Sequence, residues 1–197
     1  MDYLKLRLLK DLPCFTSKDL SYLFKLKPES ALVQLSRYVK KGIFIRLKKD
    51  LYILRERWDS NHATDFYKIA NILQVPSYIS LTTALSFYEV TTQVQIKYFE
   101  SVCQKRTARY EIEGAIFNFY KIKPDLYFDF VKIPQGDFFI ATKEKAFLDA
   151  LYLYSFGKYT FDIDSIDFSK LDLKRIKKLI KVFPERTQAT FRKLCKT

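Results

Sequence analysis

Apolar positions recur at helical spacing in some segments and alternate or cluster in others, and the succession of the two predicts an α+β protein. Leu4, Leu8 and Leu9 fall on one side of Tyr3–Leu12, which predicts a first helix with those leucines buried and Pro13 ending it. Phe15-Thr16-Ser17-Lys18-Asp19-Leu20 predicts a second helix over about 17–25. Thr16 is its N-cap, Asp19 makes an acidic variant of the capping box, and Phe15 and Leu20 are spaced for a hydrophobic staple. Pro28 opens a third helix, because a missing N–H costs nothing in a first turn. That helix runs to about Lys41, with Gly42 as a left-handed C-cap and Ala31, Leu32, Leu35 and Val39 as its apolar face. Ile43–Leu47 and Leu51–Leu54 are β-rich and flank Lys48-Lys49-Asp50, which predicts a hairpin with two lysines at its tip.

Helix, helix, longer helix and basic hairpin is the order of a winged helix-turn-helix. In that architecture the third helix enters the major groove and the wing lies along the backbone or in the minor groove. Ser30, Gln34, Arg37 and Lys41 lie at i, i+4, i+7 and i+11, a stripe suited to a groove: glutamine bonds an adenine edge, arginine a guanine or a phosphate. Lys40, Arg46, Lys48 and Lys49 complete the set expected on DNA. An isolated helix with this stripe would read as an ordinary solvated face. The adjoining hairpin is what turns it toward DNA.

The polar stretch 55–61 (RERWDSN) predicts a boundary, with a DNA-binding domain over 1–58 and a mixed α/β domain over 62–197. Within the latter, Thr64–Leu73 has helical periodicity, with His62 at its start. Residues 77–88 read as a short extended segment entering a helix capped by Ser80. Val94–Cys103, Tyr110–Ile122 and Leu126–Ile133 read as strands from their β-branched and aromatic content. Phe138–Ala141 leads into a helix capped by Thr142, and Leu171–Phe183 and Gln188–Cys195 read as basic helices.

Charge sharpens the division. Residues 1–60 hold 14 basic and 7 acidic side chains (+7), residues 61–169 hold 11 and 13 (−2), and residues 170–197 hold 10 and 2 (+8). Two basic ends around a near-neutral middle point to polyanionic partners, nucleic acid first. In the C-terminal segment Leu173, Ile176, Leu179, Ile180 and Phe183 supply a core face for a helix that carries Lys177 as well. Lys174, Arg175, Lys178 and Lys181 form an outward ridge, either a solubilising face or a second nucleic-acid surface.

Catalytic chemistry finds little footing. Cys14, Cys103 and Cys195 are far apart and a single histidine, His62, is present, so neither a disulfide framework, a zinc site nor a Ser-His-Asp triad is expected. Glu111 and Glu113 would share one strand face, where cross-strand pairing with Lys or Arg is the expected role rather than a metal nuclease site. Lys145 and Asp149, at i and i+4, are expected to form a structural ion pair or a helix-docking contact. The charged N-terminus excludes a signal peptide and no apolar run is long enough to cross a membrane, so a cytoplasmic non-enzyme without cofactor or metal is expected.

Two blocks are more specific. Pro76-Ser77-Tyr78-Ile79-Ser80-Leu81-Thr82-Thr83-Ala84-Leu85 with Tyr88-Glu89-Val90-Thr91, and Ile140-Ala141-Thr142-Lys143-Glu144-Lys145-Ala146-Phe147-Leu148-Asp149, resemble motifs of the AbiEi-like antitoxins. Those are the regulator halves of abortive-infection, type IV toxin–antitoxin operons. Thr83, Tyr88-Glu89 and Lys143 depart from the family's Ser, His-Gly and Pro. The resemblance spans nearly the whole chain. It implies a winged helix that binds inverted repeats in its own promoter and a C-terminal domain that counters a nucleotidyltransferase-like toxin, without implying a stable complex with it. A reading from another class stays open: an RNA-binding adaptor that protects the toxin's nucleic-acid substrate.

Overall fold

Thr16 and Asp19 close the expected capping box at the start of helix α1 (Ser17–Phe24): the Thr16 backbone N–H donates to Asp19 Oδ2 at 2.7 Å, and the Asp19 N–H donates to Thr16 Oγ1 at 3.4 Å. This is the computed structural model of the chain, and it describes residues 6, 8–93, 95–160 and 162–194. Helix α2 (Pro28–Lys40) begins at its proline and has Lys41 as its C-cap, followed by Gly42 at φ +68°. Strands β1 (Phe44–Lys48) and β2 (Leu51–Leu54) pair antiparallel, and Phe15 exchanges two 2.8 Å backbone bonds with Tyr52. One apolar core joins these pieces. Phe15, Leu20, Ala31, Leu35, Tyr38, Phe44 and Tyr52 belong to it, with the Phe15–Phe44 and Tyr38–Phe44 ring centroids each 4.9 Å apart.

Two faces differ from expectation. Leu32 is 53% exposed, and Tyr38 takes the buried position beside Ala31 and Leu35 because it packs on Phe44 of the hairpin. Near the N-terminus Leu6 and Leu8 are helical and Leu9 is buried, but Leu8 is 57% exposed. Leu4 and most of the first turns of the expected Tyr3–Leu12 helix lie outside the described residues.

The chain divides into two compact units, Met1–Leu73 and Gln74–Thr197. The division falls after residue 73 rather than at 58–62, because 55–61 is not a linker. It contains helix α3 (Arg55–Asp59), which docks α4 (Ala63–Leu73) through Trp58 on Phe66, with ring centroids at 5.0 Å, and through the 3.0 Å Arg57–Asp65 ion pair.

The second unit is built on a mixed six-stranded sheet. Its strands are β3 (Ser77–Ile79), β4 (Tyr98–Cys103), β5 (Ala108–Ile112), β6 (Ala115–Lys121), β7 (Phe130–Ile133) and β8 (Phe138–Ala141), in the spatial order β5-β6-β4-β3-β8-β7. The single strand expected over Tyr110–Ile122 is two strands. Glu113 and Gly114 turn the chain with φ +47° and +76°, the geometry of a two-residue hairpin loop. The strand expected from Val94 starts at Tyr98, Val94 itself lying outside the described residues, and a 3₁₀ turn at Pro124–Leu126 precedes β7. Helix α5 (Leu81–Phe87) follows β3, and α6 (Lys143–Ser155) follows β8 with Thr142 as cap. The basic segment is not one helix over Leu171–Phe183: α7 (Leu173–Leu179) lies between 3₁₀ turns at Phe168–Lys170 and Ile180–Val182, and α8 (Glu185–Leu194) follows. Cys195 lies outside the described residues. Among the described residues, no helix is long and apolar enough to cross a membrane.

Candidate nucleic-acid interface and the buried cluster of the second unit

Along α2, Ser30, Arg37, Lys40 and Lys41 are exposed and Gln34 is half-buried. The outermost positions also include Leu32 and Val33, so the solvent face mixes cations with apolar side chains. On the hairpin, Arg46 and Lys49 are exposed, Arg46 Nε lying 3.4 Å from the Lys48 carbonyl. Asp50 makes the turn at φ +53°, and its carboxylate accepts the Ser17 N–H at 2.9 Å, which fixes the hairpin tip to the start of α1.

Lys48, at the tip of the hairpin, is tied to the end of a helix. Its ammonium donates to the Leu73 carbonyl at 2.6 Å and the Ile72 carbonyl at 3.3 Å, capping the C-terminus of α4. The last carbonyls of a helix have no partner within it, and a cation there also meets the negative end of the dipole. Of the two lysines expected at the tip, Lys49 is the one that projects into solvent.

The two motif blocks meet inside the second unit. Lys145 and Asp149, one turn apart on α6, form an ion pair with both side chains fully buried. Asp149 Oδ2 accepts the Ser80 hydroxyl at 2.8 Å and the Tyr78 hydroxyl at 3.0 Å, and Lys145 Nζ donates to Tyr78 Oη at 2.9 Å. The ammonium also lies 5.1 Å from the Phe128 ring centroid and 5.5 Å from that of Phe183. Burial pushes the Asp149 carboxyl above, and the Lys145 ammonium below, their ordinary values, while each partner's charge opposes the shift. The ion pair expected from the i, i+4 spacing is therefore present. The Tyr78 and Ser80 partners, on β3 and at the start of α5, lie 71 and 69 residues before Asp149 and left no local trace.

Ser80 sits at the N-cap of α5, but its hydroxyl is committed to Asp149 and makes no cap bond. Glu100 replaces it. From the middle of β4 this buried carboxylate accepts the backbone N–H groups of Thr82 and Thr83, the Tyr159 hydroxyl at 3.0 Å and the Gln95 amide at 3.4 Å. Burial pushes its pKa up to about 7 against these bonds. A lone Glu among aromatic and β-branched residues is the signal that marks such an inward carboxylate, but a single strand does not reveal which face is covered.

At the C-terminus Lys174, Arg175, Lys178 and Lys181 are exposed, so the ridge exists, with two changes. Arg175 pairs with Asp129, and Lys181 belongs to the 3₁₀ turn rather than to α7. Ile176, Ile180 and Phe183 are buried as expected, whereas Leu173 is 42% exposed. Glu111 and Glu113 do not share a face. Glu111 pairs with Arg109 of its own strand at 3.5 Å, and Glu113 lies in the hairpin turn. Among the described residues, no group of three His, Cys, Asp or Glu side chains is arranged to hold a metal ion.

No family model and no curated protein matches the chain. Among solved structures it is similar to the crystal structure of the RV2827C protein from Mycobacterium tuberculosis, with a TM-score of 0.62 and 11% identity over 98% of this chain and 75% of that one. At that identity the likeness concerns the fold alone.

Proposed function

We propose that the protein is a DNA-binding antitoxin: it represses its own toxin–antitoxin operon through a winged helix made of α1, α2 and the β1–β2 hairpin, and it counters a nucleotidyltransferase-like toxin through its second unit. The observation that carries this reading is the joining of α1, α2 and the hairpin in one core that leaves Arg37, Lys40, Lys41, Arg46 and Lys49 in solvent. In such a frame α2 enters the major groove, where Ser30, Gln34 and Arg37 reach base edges, while Arg46 and Lys49 meet phosphates. The antitoxin half of the proposal rests on the motif blocks, whose Tyr78, Ser80, Lys145 and Asp149 form one buried network. A buried, mutually satisfied cluster suits holding a fold rather than catalysis, and the proposal accordingly contains no catalytic step. Fluorescence anisotropy on a duplex from the protein's own promoter, against a scrambled duplex, tests the DNA half. Rescue of cells from the cognate toxin, with both genes under unrelated promoters, tests the other: Arg46→Ala/Lys49→Ala should lose DNA binding and keep rescue.

A further inference from the structure

The solvent side of α2 carries two apolar side chains that neither the core nor the base-edge contacts of Ser30, Gln34 and Arg37 use. Leu32 is 53% exposed and Val33 50% exposed. Ala31, Leu35 and Tyr38 define the buried side of the helix, and at about 100° per residue Val33 points within about 20° of directly away from it. Glu29, Arg37 and Lys40, at i−4, i+4 and i+7 from Val33, are exposed on the same outermost stripe. Leu32 lies about a quarter turn to one flank, on the side opposite Ser30, Gln34 and Lys41.

Val33 is thus the apolar centre of a charged helix face. A β-branched residue is a poorer helix former than Lys, Arg or Glu, so neither helix propensity nor core burial accounts for it there. Exposed apolar residues are common singly, whereas two adjoining ones within a cationic stripe call for a partner that is both apolar and anionic. Arg37, Lys40 and Lys41 against Glu29 leave the exposed face of α2 net positive, so two copies of it repel and a polyanion is drawn to it. Duplex DNA is anionic along its backbone, and thymine alone among the four bases presents a methyl group in the major groove.

We propose that Leu32 and Val33 read thymine: their side chains pack on thymine 5-methyl groups in the major groove, so the operator carries thymines where α2 crosses it. The inference rests on the DNA-binding reading and adds an apolar half to its base recognition. One methyl group withdrawn from water changes affinity about threefold to fourfold. Anisotropy at physiological salt with the full-length protein tests it, on the promoter duplex, a scrambled duplex, and the promoter duplex with deoxyuridine in place of every thymine. That replacement removes methyl groups and leaves every base-edge donor and acceptor in place. Wild type should bind the deoxyuridine duplex at least about threefold more weakly than the promoter. Leu32→Ala/Val33→Ala, with good helix formers at both positions, should bind the two equally, whereas Arg37→Ala should weaken both and keep their ratio. Equal wild-type affinity for the two, in a protein that still prefers promoter to scrambled duplex, would overturn the inference and leave the DNA reading standing. A thymine preference that survives in the alanine pair would also overturn it, since the effect would then belong to the duplex itself. Absence of any promoter preference would overturn both readings. A wild-type dimer that the alanine pair disperses would assign the two side chains to a second copy of the chain and overturn the thymine contact.

Discussion

Removing the Asp149 carboxylate should cost more stability than any single surface change. In Asp149→Ala the Lys145 ammonium keeps its fully buried position but loses its counter-charge, and the Ser80 and Tyr78 hydroxyls lose their acceptor. Breaking a buried pair from one side costs about 3–5 kcal/mol, much of it the penalty of the charge left behind. Against a total stability of about 5–15 kcal/mol, that loss is a large fraction. Lys145→Met/Asp149→Leu removes both charges and leaves only the two hydroxyls without their partner, so it should cost less than the single change despite altering more atoms. Urea unfolding followed by circular dichroism provides the comparison. A value for Asp149→Ala within about 1 kcal/mol of wild type, or a double variant less stable than the single one, would refute the reasoning.

Other expectations follow from single contacts. Lys48→Ala should lower stability by about 1–2 kcal/mol, since two helix-end carbonyls lose a charged donor, and should leave the salt slope of DNA binding unchanged. Lys49→Ala should do the reverse, reducing the slope of log affinity against log salt by about 0.9 with stability unaltered. Glu100 binds its proton more tightly in the fold, with a pKa near 7 against an ordinary 4.5, so its contribution to stability falls as pH rises between those values, by about 3 kcal/mol in all. Glu100→Gln should flatten that decline; an unchanged stability profile from pH 4 to 8 in the variant would contradict it.

Local signals were legible where the chemistry is local. The Thr16–Asp19 capping box, the proline start of α2, the Thr142 cap and the Lys145–Asp149 spacing all depend on residues within one or two helical turns, and all are present. Failures occurred where a distant partner decides. Leu32 looked as apolar as Ala31 and Leu35, but the buried side of α2 is set by where Phe44 sits. The capping contact of Lys48 was not legible, because the carbonyls it meets lie 25 residues further on. The Glu113-Gly114 turn was hidden within a continuous β-rich run, since Glu is an uncommon residue at a left-handed position. Of the buried cluster, the helix half could be read, and the strand half needed the β3–β8 pairing that brings Tyr78 and Ser80 beside α6.

Sequence-specific duplex binding is the most direct test of the account. Anisotropy titrations at physiological salt should compare a labelled promoter duplex with a scrambled duplex of the same length and composition, for wild type and Arg37→Ala. The account predicts a clear preference of the wild type for the promoter, and a loss of about 1–3 kcal/mol of that discrimination when the guanidinium is removed. Equal wild-type affinity for the two duplexes would contradict it.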